Sequence, residues 1–117
     1  MKVIIAGSRS FNDYERLCKE CDMVLGGYGT EEIEIVSGTA RGADSLGEKY
    51  AKQRGFKIKR FPADWDNYGK SAGYRRNSCM AEYADALIIF WNGESKGSKH
   101  MIDLARLNGL KIKICYG

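Results

Sequence analysis

The chain is poor in the residues that punctuate and catalyse: it has one proline, Pro62, and one histidine, His100, among 117 residues. A lone histidine near the start of the last helical segment gives no footing for a serine–histidine–acid triad, and it reads as a surface residue. Zinc takes about four ligands. Beyond Cys18-x-x-Cys21 there is no second C-x-x-C and no histidine pair, so no metal site is expected. Helical spacing puts Cys18 and Cys21 on the face of Leu17 and Leu25, where buried small hydrophobes are the expected role. Met1-Lys2 runs straight into a strand-like segment without a small-residue cleavage site. Reduced thiols at Cys18, Cys21, Cys79 and Cys115 and a cytoplasmic location are therefore expected.

Long apolar runs are also missing. Val3 to Ala6 and Ala86 to Trp91 are the longest, and a bilayer crossing takes roughly 20 residues, so no membrane association is expected. Charge is not massed: 19 Lys and Arg stand against 15 Asp and Glu, for a net +4. That mild excess suits an anionic small molecule better than a nucleic acid, which calls for a dense basic stripe. Linkers, internal repeats and low-complexity stretches are absent. The length fits one domain, residues 1–117, and 44% hydrophobic residues suffice for a core.

What is present is an alternation of strand and helix. Lys2 to Ala6 is a nearly continuous apolar run, as in a strand covered on both faces. Asn12 or Asp13 can cap a helix whose stripe is Tyr14, Leu17, Cys18, Cys21, Val24 and Leu25, stopped by Gly26-Gly27. Ile33 to Ser37 reads as a second strand. A second helix starts near Ala43, turns Leu46, Tyr50 and Ala51 inward, and ends at Gly55. Phe56 to Phe61 alternates apolar and charged residues, the mark of a half-exposed edge strand. A polar loop, Pro62 to Ala72, precedes a third helix from Ala72 to Tyr83. Then come the buried strand Ala86 to Trp91, a last helix from Ser98 to Leu107, and a second alternating edge, Leu110 to Cys115.

Five strands with helical crossovers give a Rossmann-like three-layer α/β fold, with a parallel sheet and helices on both faces. The first and fourth strands are the most apolar and the third and fifth alternate. That pattern predicts strand order 3-2-1-4-5. Ligands in open α/β sheets bind beyond the carboxyl ends of the strands at the switch point, here between the first and fourth. The rule selects three loops. Gly7, Ser8 and Arg9 offer a close turn and a guanidinium fork for phosphate. Ser37, Gly38, Thr39, Arg41, Gly42 and Asp44 open the second helix, whose free N–H groups favour an anion. A plain turn with Ser37 or Thr39 as cap, and Asp44 steadying the first helical turn, is the alternative to phosphate binding, which is the expectation for that loop. Trp91, Asn92, Gly93, Ser95, Gly97 and Ser98 precede the last helix. The long segment from Ala63 to Asn77 adds Trp65 and Tyr68, suited either to stacking on a base or to anchoring the loop. It also adds Arg76 and Asn77, with Arg76 one turn into its helix.

Together these segments resemble the YspA-type branch of the SLOG superfamily, which includes the Lonely Guy phosphoribohydrolases and the DprA proteins. The matching pieces are G-S-R-x-F at Gly7 to Phe11, S-G-x-A-x-G-A-D at Ser37 to Asp44 and A-D-W at Ala63 to Trp65. They continue with Y-G-x-x-A-G-x-x-R-N at Tyr68 to Asn77 and W-x-G-x-S-x-G at Trp91 to Gly97. The resemblance implies binding of a nucleotide or nucleotide-derived phosphate ligand, ADP-ribose-like, NAD-like or a nucleoside monophosphate, with no further cofactor required. It also makes a homodimer through helix faces plausible. Two alternatives accompany it: an N-glycosidase acting on nucleotides, and a single-strand nucleic-acid binder.

Gly26 to Glu32, GGYGTEE, is similar to the Lonely Guy signature P-G-G-x-G-T-x-x-E. It follows a helix and precedes a strand, which puts it on the opposite sheet edge, where a helix stop explains it better. The counterpart in position is the last glycine loop, with Gly97-Ser98 matching G-T. Met101 then falls where that family carries its catalytic glutamate, while Arg76 matches the family's arginine. Glu94 is the nearby carboxylate able to substitute. The expectation is a binding or sensing domain, with catalytic residues unassigned.

Overall fold

The computed structural model describes residues 1–116. Its strands are β1 (Lys2–Gly7), β2 (Glu34–Ser37), β3 (Lys57–Arg60), β4 (Ala86–Trp91) and β5 (Lys111–Tyr116), all parallel and ordered β3-β2-β1-β4-β5. Four helices of 12 residues each connect them: α1 (Tyr14–Leu25), α2 (Ala43–Arg54), α4 (Ala72–Tyr83) and α5 (Lys96–Leu107). The strand order is the one that the apolar and alternating runs predict. No helix among the described residues is long and apolar enough to cross a membrane.

Side chains alternate across a strand, and the two layers of core follow from that. Val3, Ile5, Ile35, Ile88 and Phe90 pack under α1 and α2, with Leu17, Cys21 and Tyr50. Ile4, Ala6, Val36, Leu87 and Ile89 pack under α4 and α5, with Met80, Met101 and Ile102. The edges β3 and β5 expose lysines and arginine, which blunts them against pairing with another chain. Cys21 is fully buried and desolvation pushes its thiol well up, so it packs as a small hydrophobe; Cys18 is only half-buried. Leu46, expected inward, is also half-buried.

Three local differences have physical causes. The Pro62 to Ala72 loop contains a short helix, α3 (Trp65–Tyr68), and a 3-10 turn, Gly69–Ser71. Asp64 starts α3 by accepting from the Asn67 N–H at 3.3 Å. The last helix begins two residues early because Ser95 is its cap, accepting from the Ser98 N–H at 3.4 Å. The third strand is trimmed at both ends, to Lys57–Arg60. Asp13 caps α1 through the Arg16 N–H. GGYGTEE closes α1 and forms the 3-10 turn Thr30–Glu32, where the amino group of Met1 donates to the Glu32 carbonyl. That contact places the segment beside the start of β1, on the edge opposite the switch point.

Helix α2 lies close on β1 because Gly47 has no side chain: a Cβ there would fall 2.7 Å from Ile5 Cγ2. Gly97 faces open space by the same test. Alanine in place of a helical glycine ordinarily stabilises by about 1 kcal/mol. Gly47→Ala should instead destabilise by about 1–3 kcal/mol through overpacking, and Gly97→Ala should be neutral to mildly stabilising. Urea unfolding of both variants checks this; equal shifts would contradict the close-packing account.

Candidate ligand cleft at the switch point

The carboxyl ends of β1 and β4 part at a cleft of about 230 Å³. Arg9 from the β1 loop, Asp44 from α2, Arg76 and Asn77 from α4, and Ser95, Gly97 and Ser98 from α5 line it. A second cleft of about 350 Å³ adjoins it, lined by Gly38, Thr39 and Arg41, and the two share Arg9, Ala40, Trp65 and Arg76. Loops far apart in the chain thus meet around two adjoining clefts: Arg9 borders both, Gly97 the first, and Gly38 and Arg41 the second.

Gly7 lines the cleft and makes the junction possible. A Cβ on it would sit 2.2 Å from the Phe90 carbonyl oxygen, so only glycine lets β1 end this close to β4. Gly42, at φ 75°, lets α2 start against Ser8, whose carbonyl oxygen would be 2.4 Å from a Cβ at that position. Thr39 is the non-glycine residue with positive φ, 62°. A β-branched residue held there stores about 1–3 kcal/mol of strain, which tends to collect at ligand sites.

Several residues expected at the ligand instead hold the surrounding loops together. Ser8 is buried: its N–H donates to Phe90 O at 2.9 Å, its carbonyl accepts from Phe11 and Ala43, and its Oγ accepts from the Asn92 N–H. Ser37 is buried, donating to Glu48 at 2.7 Å and accepting from the Thr39 N–H. It caps no helix; Gly42 occupies the cap of α2. Asn92 Oδ1 accepts from the N–H groups of Glu94 and Ser95, and Trp91 Nε1 donates to the Ser95 carbonyl at 3.1 Å. Gly93 is an exposed turn residue at φ 84°. Ser8, Ser37, Gly42, Trp91, Asn92 and Gly93 border neither cleft.

The two helix starts differ. The start of α2 is turned inward: Ala43 N–H faces the Ser8 carbonyl, and Asp44 carries a carboxylate in its first turn. An anion there would meet that carboxylate. The start of α5 has no acidic residue in its first turn. Ser95 takes the N–H groups of Ser98 and Lys99, which leaves the first amides of the helix as free donors, with Gly97 bordering the cleft. The anion-favouring helix end is therefore α5, although both loops look alike in sequence.

A polar chain fixes the cationic wall. Arg76 Nη1 donates to the Gly38 carbonyl, and its Nε donates to Asn77 Oδ1 at 2.9 Å. Asn77 Nδ2 in turn lies 3.5 Å from the Gly97 carbonyl and 3.4 Å from His100 Nδ1. Burial pulls Arg76 down from its usual value, and Asp44 opposes that; a guanidinium remains charged regardless. Desolvation lowers His100, which Asp103 opposes; it is half-buried behind the wall, with its ring against Tyr74 at 4.5 Å between centres. Gly73, Tyr74 and Met80 line the cleft as well. Their spacing from Arg76 and Asn77 along α4 was the available signal for them.

Met101, 2% exposed, lines the cleft and presents a thioether. Glu94 is exposed and borders neither cleft. The carboxylate that does line it is Asp44, 5% exposed and pushed up to about 6 by burial. The Ala40 N–H, Arg76 and Arg9 lower it in part, and Glu48 raises it further. A raised folded-state value means that the native state favours the protonated form. Stability then falls as pH rises from about 4 to about 6, and stays reduced above that. Asp44→Asn should gain up to about 3 kcal/mol at pH 7 and nothing below pH 4. Melting temperatures from pH 4 to 8 test this; a gain independent of pH would show that the charge carries no penalty.

Residues 1–68 match the YspA, cpYpsA-related SLOG family. The Gene 61 protein of Mycobacterium phage D29 is 33% identical over 121 residues, covering 95% of this chain and 93% of that protein. DNA processing protein A of Streptococcus pneumoniae superposes with a TM-score of 0.76 at 23% identity, over 99% of this chain and 50% of that one. The Helicobacter pylori protein of the same name, whose structure describes a single-stranded DNA binding mode, gives 0.71 at 18%, over 97% of this chain and 64% of that one. This chain thus spans half to two thirds of those two structures, and at such identities the likeness is one of fold. The family match covers more than half of the chain, which therefore belongs to the YspA, cpYpsA-related SLOG family.

Proposed function

We propose that the chain binds a nucleotide or nucleotide-derived phosphate compound, of the ADP-ribose, NAD or nucleoside monophosphate kind, at the carboxyl edge of its sheet. One observation carries the reading: the acid-free start of α5 and the guanidinium groups of Arg9 and Arg76 border a single cleft. Helix amides and arginine forks are the common means of holding phosphate. Trp65, half exposed and shared by both clefts, is placed to stack on a base. The free thiols suit a reducing, cytoplasmic setting. Hydrolysis is not part of the proposal, because Met101 stands where a catalytic carboxylate would act and Glu94 lies outside the cleft.

A second reading draws on the aromatics. Trp65 and Tyr74 line the cleft and are exposed, as is Tyr68 on the same short helix as Trp65, and Arg75 lies 4.4 Å from the Tyr68 ring centre. Such platforms suit a single strand, and the H. pylori relative binds single-stranded DNA.

Titration calorimetry with AMP, ADP-ribose and NAD should give saturable binding for at least one. Arg9→Ala, at an exposed position, should weaken it about 10- to 100-fold without lowering the melting temperature. No heat from any of the three counts against the small-molecule reading. Oligonucleotide binding that falls steeply with salt would favour the strand reading instead.

A further inference from the structure

We propose that Asp44 is the hydroxyl-recognising group of the cleft, so that the ligand is a sugar phosphate whose neighbouring free hydroxyls face this carboxylate. The proposal rests on the phosphate-binding reading above and assigns to one residue the recognition of the ligand's hydroxyls.

The cleft is polarised. Donors and positive charge come from Arg9, Lys70, Arg76 and the start of α5; the acceptor wall is Asp44. Its side chain makes one hydrogen bond, from the Ala40 N–H to Oδ2 at 3.2 Å. An ionised carboxylate has about four acceptor positions, so most of its capacity is open to the cleft. Neither arginine consumes it. No ion pair among the described residues includes Asp44, and Arg76 is turned to the Gly38 carbonyl and to Asn77. Gly38 is bare where they converge: a Cβ there would fall 2.7 Å from Asp44 Oδ2 and 2.9 Å from Arg76 Nη1.

Asp44 is 5% exposed and takes a single donor from the protein, which leaves room for a donor from a ligand, and the surroundings restrict what that donor is. A second anion is repelled. A divalent cation finds no partner ligands, since no cluster of three metal-binding side chains exists among the described residues. An ammonium group is disfavoured by two arginines and a helix start. A neutral O–H donor remains. Joined to an anionic end at α5, it describes a phosphorylated sugar, and a vicinal diol can engage both carboxylate oxygens. In dinucleotide-binding α/β sheets an aspartate or glutamate accepts a hydrogen bond from the ribose 2′-OH.

The test is calorimetry on the full chain with AMP, 2′,3′-dideoxy-AMP and inorganic phosphate. AMP should bind about 10- to 100-fold more tightly than the dideoxy compound, the worth of a hydrogen bond to a charged group. In Asp44→Asn the two nucleotides should differ by less than about 3-fold, with inorganic phosphate held as well or better. The comparison on the unaltered protein stands even if the variant folds poorly. Equal affinity for the two nucleotides, inorganic phosphate binding as tightly as AMP, or unchanged discrimination in Asp44→Asn would each overturn the proposal and leave the anion site standing. Failure of all three compounds to bind would remove the site reading as well.

Discussion

The contact between Gly7 and the carbonyl of Phe90 is the constraint from which the cleft is built. It brings the ends of β1 and β4 together at the one place in the sheet where the chain reverses its direction of winding. Ser8 then ties three loops with its own polar groups: the N–H holds β4, the carbonyl holds the start of α2, and the hydroxyl holds Asn92. Phe11 stacks on Phe90, with ring centres 4.7 Å apart, and seals the junction from below. A side chain at Gly7 would push these apart, and every wall of the cleft would move with them.

On that frame the walls take opposite electrostatic characters. Helix α5 meets the space with free amides, and Arg76 is braced by the Gly38 carbonyl and Asn77. Asp44 faces them with a carboxylate that burial penalises. Holding a charge at an energetic cost inside a cleft, with its acceptor capacity unfilled, is more typical of ligand sites than of supporting structure. The strained Thr39 at the rim of the adjoining cleft points the same way.

The exposed aromatics and the sparse contacts of α3 set this rim apart from the rest of the molecule. Trp65 and Tyr68 sit on α3, which buries none of its residues, whereas Tyr74 sits on α4, tied to the sheet through Met80 and Ala81. A braced anion-binding end and an adaptable aromatic end are what a phosphate compound with a variable remainder would require.

The sequence by itself determined the strand order, because residues that alternate along a strand and residues at helical spacing report burial directly. It also determined that Gly7, Arg9, Gly38, Arg41, Arg76 and Gly97 lie toward one edge, since the carboxyl end of a parallel strand is set by direction alone. It left open which of those groups face solvent space and which turn inward. Ser8, Ser37 and Asn92 read like ligand residues because hydrogen-bonding side chains look the same whether they meet a ligand or a neighbouring loop. The two glycine-rich helix starts were likewise equivalent on paper. Only the tertiary structure placed the Ser8 carbonyl and a buried carboxylate at α2 and left α5 open. That outcome depends on where distant segments cross, which local pattern does not encode.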